Sequence, residues 1–174
     1  DVETLKTIKI FYPKIKIAQW FLDRMDSKWK LNKKRFFDKI DIMNGSFCTT
    51  DPNSLKFNKK KLIHYMPNPV DESFEVLNNY KYKNFKNDVF FAMSHGVHRG
   101  VLKKGKFDER ENFLKGLTHK LPNIKFDLYG VKNKQPIWAD NFIKAISQSK
   151  IALNLSQGKA TKYYTSDRFA QLIG

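Results

Sequence analysis

Three stretches of the chain offer Gly, hydroxyl, aromatic or cationic groups that could meet a phosphate or a base. The first is Ser94-His95-Gly96-Val97-His98-Arg99-Gly100, continued by Lys103-Lys104-Gly105-Lys106. Its glycines let a backbone approach a phosphate closely, and Arg99 and Lys103 supply charge. It has neither the Gly-Lys-Ser/Thr ending of a Walker loop nor the G-x-G-x-x-G dinucleotide pattern, so a generic Gly/Lys loop is the plain alternative. The second stretch runs from Ser156 to Arg168. It turns at Gly158, carries Lys159, Lys162, Tyr163 and Tyr164, and enters a helix at Ser166-Asp167, where unpaired N–H groups and the helix dipole favour negative charge. The third is Tyr129-Gly130, where an aromatic ring can stack on a base or simply close the core. Asp23, in Trp20-Phe21-Leu22-Asp23-Arg24, is a candidate general base or hydrogen-bond acceptor, with helix capping or pairing to Arg24 as the competing roles. His64 lies inside an apolar run and reads as structural, whereas His95 and His98 sit in the Gly loop.

The elements that must position these residues follow from periodicity and punctuation. Leu5, Ile8 and Phe11 share a helical face, predicting a helix from Val2 to Phe11 that Pro13 stops. Short apolar runs at residues 15–21, 46–50 and 62–66 read as strands, with an irregular helix over 32–42. They are continuous rather than alternating, the pattern of parallel strands covered on both faces. Pro67-Asn68-Pro69-Val70-Asp71 punctuates the chain, and a polar stretch to Lys86 reads as a linker. The pattern then restarts with a strand at 88–93 and a helix from the cap Asp108 to Leu121, whose apolar face would be Phe113, Leu114, Leu117 and Leu121. A strand at 124–130, a helix at 139–148, a strand at 151–155 and a helix at 166–173 follow. Strand and helix alternate, so the expected class is α/β with parallel sheets and βαβ crossovers. In such sheets ligands bind beyond the carboxyl ends of the strands. All three stretches fall there.

Composition narrows the classes further. With 41% hydrophobic and 14% aromatic residues the chain can build a core, which excludes wholesale disorder. Eight Gly and six Pro exclude collagen-like and Gly/Pro-rich low complexity. No window approaches about 18 uncharged apolar residues, so no span of a membrane is expected, and no secretory leader is legible. The single cysteine, Cys48, cannot form an internal disulfide, and no Cys/His cluster has zinc spacing. A reducing, cytoplasmic setting and no metal are expected. The formal net charge of +16 invites a nucleic-acid reading, but the lysines are spread along the chain, with Lys59-Lys60-Lys61 their only run of three, and Asn is abundant too. Compositional drift accounts for most of that charge. The chain opens at Asp1 without a Met and stops at Gly174 within a helical pattern, as expected of a piece of a longer protein.

Taken in order, these residues resemble the GT-B glycosyltransferases, and within them the spore-maturation-type group of the "glycosyl transferases group 1" set. Trp20-Phe21-Leu22-Asp23, Phe47-Cys48-Thr49-Thr50 and Tyr65-Met66-Pro67-Asn68-Pro69-Val70-Asp71 are similar to the two strand ends and the interdomain segment of that family. Phe90-Phe91-Ala92-Met93-Ser94 with Arg110, Phe113 and Leu114 resembles the opening of its donor lobe. Phe126-Asp127-Leu128-Tyr129-Gly130, Ser149-Lys150-Ile151-Ala152-Leu153-Asn154-Leu155 and Tyr164-Thr165-Ser166-Asp167-Arg168 resemble three later segments. The resemblance covers about Lys14 to Gly174. It departs at Gln171, where these families often carry a Glu that holds the donor ribose, and at Ser94-His95-Gly96, where Gly-Ser is usual.

The resemblance implies two Rossmann-like lobes, present as a fragment. Residues 1–68 would be the end of the acceptor-side lobe, 69–87 a linker and 88–174 a truncated donor lobe. It implies a metal-independent hexosyltransferase that moves a sugar from a nucleotide-diphosphate sugar to a glycan, lipid or protein acceptor in cell-surface polysaccharide biosynthesis. No cofactor is implied beyond the donor itself. Gly96, Arg99, Lys103, Lys162, Ser166 and Arg168 would hold the donor phosphates, since without a metal the leaving group needs cations and a helix N-terminus. Tyr129, Gly130, Tyr163 and Gln171 would meet the nucleoside. Asp23 is the one candidate catalytic residue. No specific nucleic acid is expected, while the inner face of an anionic membrane is an expected peripheral partner. The competing readings are a basic α/β nucleic-acid-binding module and a degenerate, non-catalytic transferase homologue. The fragment alone is expected to be inactive.

Overall fold

The computed structural model describes residues 1–25, 30–54, 63–73, 76–94, 108–156, 161–166 and 168–173. They form an α/β protein with two parallel three-stranded sheets. The chain divides into two compact units: residues 1–69 with 160–170, and residues 70–159 with 171–174. No helix among the described residues is long and apolar enough to cross a membrane.

The first unit opens with α1 (Val2–Phe11), whose Asp1 side chain accepts the Thr4 N–H at 2.8 Å and caps the first turn. None of its ten residues is buried. Strands β1 (Ala18–Phe21), β2 (Gly45–Cys48) and β3 (Ile63–Tyr65) pair in that order, with Trp20, Phe47 and His64 in one row and Phe21, Cys48 and Tyr65 in the next. Helix α2 (Lys30–Ile40) connects β1 to β2 and is regular over its eleven residues, where the sequence predicts an irregular helix. Its Phe36 and Ile40 bury against Met25 and Cys48, with Phe21, Phe37 and Ile63 at the margin. Phe36 meets Phe21 and Phe37 edge-on at 5.9 and 5.7 Å. A fully buried ring of this kind contributes roughly 1.5–3 kcal/mol. The row Trp20–Phe47–His64 lies on the other face, with Trp20 and His64 exposed. Of the described residues, then, this sheet buries one face, where continuous apolar runs predict cover on both.

The second unit is built around β4 (Asn87–Ala92), flanked by β5 (Phe126–Tyr129) on one side and β6 (Ser149–Ala152) on the other. Successive side chains of a strand point to opposite faces. Phe91 and Met93 therefore join Leu114, Leu128 and Val131 in one core, while Phe90 and Ala92 join Ala145 and Ile146 in the other. Helix α3 (Glu109–Lys120) supplies Leu114 to the first face, and α4 (Ala139–Ile146) supplies Ala145 and Ile146 to the second. Both faces of β4 are filled, which is why its sequence is an unbroken apolar run. Phe113 and Leu121, expected on the apolar face of α3, are exposed. Phe113 is turned about 100° from Leu114 around the helix, and Leu121 is already the C-cap. Strand β6 begins at Ser149, two residues before the expected strand, because Asn87 pairs with Ser149 and Val89 with Ile151.

The stretch 69–87 is not a free tether. Leu77 packs on the Phe90 core, and Asn79–Lys81 form a 3-10 turn within the second unit. Helix α5 (Arg168–Ile173) closes the described chain; Arg168–Ala170 group with the first unit and the residues from Gln171 with the second.

Candidate functional site

Strand order β5-β4-β6 means that the chain reverses direction across the sheet at β4. The carboxyl edge at such a reversal, here between β4 and β6, is where open parallel sheets bind ligands. Three features are fixed along the carboxyl edge of this sheet. Gly130 follows β5 with φ +74°, and a Cβ on it would stand 1.9 Å from the Met93 carbonyl oxygen. Only glycine fits, so the ends of β5 and β4 close on each other. The turn beyond it is tight: Gly130 N–H donates to the Lys134 carbonyl at 3.0 Å, with Lys132 and Asn133 both left-handed.

The second feature is a buried ion pair. Asp108 caps α3, accepts the Arg110 N–H at 3.0 Å, and takes Nε at 2.9 Å and Nη2 at 2.7 Å from the same side chain. Arg110 Nη1 also donates to the Leu155 carbonyl at 3.4 Å, tying the start of α3 to the segment after β6. The sequence marks Asp108 as a cap but gives no sign of the Arg110 fork. The third feature is Asn154, whose Oδ1 is buried with no hydrogen-bond partner among the described residues. An amide oxygen left so costs about 1–3 kcal/mol unless a donor reaches it.

Tyr129, expected either to meet a base or to cap the core, packs at 6.1 Å from Phe90, and Lys134 Nζ lies 3.7 Å from its ring centroid. Lys134 also pairs with Asp127 at 2.7 Å. Partial burial works against its charge, but the Asp127 hydrogen bond and charge, helped by Tyr129, outweigh that and lift its pKa above the ordinary lysine value. Tyr129 is thus partly buried against the core of Phe90, Ala92, Ala145 and Ile146.

In the first unit the carboxyl edge is also polar. Thr49, Thr50 and Asp51 follow β2 and are all buried, as is Arg24 beyond β1. Thr49 Oγ1 donates to the Leu22 carbonyl at 2.9 Å, and the Cys48 thiol donates to the Thr50 carbonyl at 3.1 Å. Burial raises the Cys48 pKa. Asp23 is exposed at the end of β1.

Residues 161–166, expected with Arg168 in the second lobe, are strapped to this edge through their main chain. The Lys162, Tyr163 and Thr165 carbonyls accept from Asp51 N at 3.1 Å, Tyr65 Oη at 3.2 Å and Asn68 Nδ2 at 3.1 Å. Tyr164 stacks under the Arg24 guanidinium at 5.9 Å. Lys162, expected at a phosphate, stands 3.6 Å from the buried Asp51 carboxylate and 4.8 Å from the Tyr163 ring. Asp51 reads in the sequence only as a turn residue, which it also is: Asn53 N–H donates to its Oδ1 at 3.1 Å.

The expected binding set is therefore divided. Lys162, Tyr163, Ser166 and Arg168 belong to the first unit, and Tyr129, Gly130 and exposed Gln171 to the second. Gly96, Arg99 and Lys103, with His95 and His98, lie outside the described residues, as do Lys59–Lys61, Gly158, Lys159 and Asp167. No group of three or more His, Cys, Asp or Glu side chains among the described residues could hold a metal ion.

Fold and edge together define an α/β protein with two parallel sheets and polar carboxyl edges. No family model, no characterised protein and no solved structure matches the chain.

Proposed function

We propose that the chain belongs to a GT-B glycosyltransferase that moves a sugar from a nucleotide-diphosphate sugar to a glycan, lipid or protein acceptor. The observation that carries this reading is the orphaned Asn154 Oδ1 just beyond β6, at the β4/β6 reversal of the second sheet. A buried acceptor at that edge suits a ligand with a hydroxyl or amide N–H to donate, which ribose, a base or a hexose provides. The ordered sequence motifs support the same class, and the two parallel-sheet units are compatible with it.

In this reading Arg99 and Lys103 stabilise the negative charge that grows on the departing nucleoside diphosphate, with Gly96 admitting it to the backbone. Lys162 is less suited, because Asp51 already offsets its charge. The exposed Asp23 is the residue of the acceptor-side unit best able to receive a proton without disturbing a core.

A thermal-shift panel of UDP, GDP, ADP, CMP and dTDP tests the proposal. At a hundredfold excess over Kd a ligand of the native state adds about 2.7 kcal/mol, which moves the midpoint by roughly 5–10 °C for a chain of this size. One nucleotide should do so, and Arg99→Ala should abolish the shift. No shift with any of them, alongside tight and steeply salt-dependent binding of a mixed oligonucleotide, would favour the nucleic-acid reading of the +16 charge instead.

A further inference from the structure

The second unit holds out an aromatic and basic turn. From Val76 to Asn87 the chain carries Tyr80, Tyr82, Lys81, Lys83 and Lys86 and no acidic residue. Its flanks are pinned. Leu77 packs on the cluster of Phe90, Ala92, Ala145 and Ile146; Asn79 Nδ2 donates to the Ile146 carbonyl at 3.1 Å; and Lys86 N–H donates to the Gln148 carbonyl at 3.0 Å. Between the pins, Asn78 is left-handed at φ 48° and the Lys81 and Tyr82 N–H groups bond back to Asn78 and Asn79, so the chain turns sharply. The result is an outward presentation: Tyr80 is 82% exposed, Tyr82 61% and Val76 57%, with the three lysines exposed around them.

A turn held at both ends cannot fold these rings back onto the core, so their exposure is built in. Tyrosine has an apolar body and a polar tip, which suits the level of lipid headgroups, and neighbouring lysines suit lipid phosphates. We propose that this turn docks the protein on an anionic lipid surface, with Val76, Tyr80 and Tyr82 at the headgroup boundary and Lys81, Lys83 and Lys86 against phosphate. The charge is complementary, and the chain's net +16 adds long-range attraction. The aliphatic Val76 suits lipid better than bases. The inference rests on no part of the transferase reading.

Co-sedimentation of the full-length protein with vesicles tests it, using pure phosphatidylcholine against phosphatidylcholine with one third phosphatidylglycerol. The protein should pellet with the anionic vesicles only, less so at high salt. Lys81→Glu with Lys83→Glu should weaken this by about tenfold or more, since each lysine near such a surface is worth roughly a fivefold change. Tyr80→Ser with Tyr82→Ser should weaken it several-fold, and both variants should keep the parent's thermal midpoint because every changed side chain is exposed. Vesicle binding that is absent, or equal in parent and variants, would overturn the proposal. So would variants that lose single-stranded RNA binding while keeping vesicle binding.

Discussion

At the scale of single residues, the strongest constraints are Gly130 and the Asp108–Arg110 pair. Gly130→Ala places a methyl where the Met93 carbonyl stands and forces a left-handed alanine, so urea unfolding should show a loss of about 3 kcal/mol. Retention of parent stability would mean that β4 and β5 do not close as described. Asp108→Ala leaves a largely buried guanidinium without its carboxylate and should cost about 3–5 kcal/mol. Adding Arg110→Met should return much of that loss, and a double-mutant cycle measures the coupling. Of these residues the sequence marks only the Asp108 cap, because capping is local. The Arg110 fork reaches Leu155 across 45 residues, and the Gly130 contact depends on where β4 ends. Neither leaves a pattern along the chain.

At the scale of elements, legibility followed the length of the interaction. α1, the start of α3 and all six strands are visible as apolar spacing, caps and breakers, since those forces act within a few residues. The register of β6 is not, because it is fixed by Val89 opposite Ile151 and by Lys150 reaching Asp88 at 2.8 Å. Asp88 also accepts the Lys125 N–H at 2.9 Å, so one carboxylate links the starts of all three strands of the second sheet. The Lys150 and Lys125 bonds lower its pKa below the ordinary carboxylate value. A lowered folded pKa means that the contribution is complete above the unfolded value and fades as pH falls toward the folded one. Asp88→Asn should therefore flatten the acid limb of the stability curve below about pH 4. An unchanged acid limb would show that the bridge does not form in solution. The strap at 161–166 is equally illegible, since Asp51, Tyr65 and Asn68 hold it by its carbonyls, which every sequence has.

At the scale of the whole molecule, two units with separate cores imply that each can be followed separately. Cys48 is the chain's one cysteine, it is fully buried in the first unit, and burial raises its thiol pKa. Alkylation should be slow in the native protein and should report opening of that unit, while near-UV signals of the second unit change on their own schedule. Fast labelling under native conditions would contradict the buried Cys48 core. The central claim concerns the second unit, where the β4/β6 edge presents an Asn154 Oδ1 with no partner among the described residues. Calorimetric titration of nucleoside diphosphates into the full-length protein and its Asn154→Leu variant tests it most directly. The expected result is saturable binding to the parent and a loss of about tenfold or more in the variant, with the variant's unfolding midpoint equal to or above the parent's. Equal affinity in the two proteins, or no binding to the parent by any nucleotide, would contradict it.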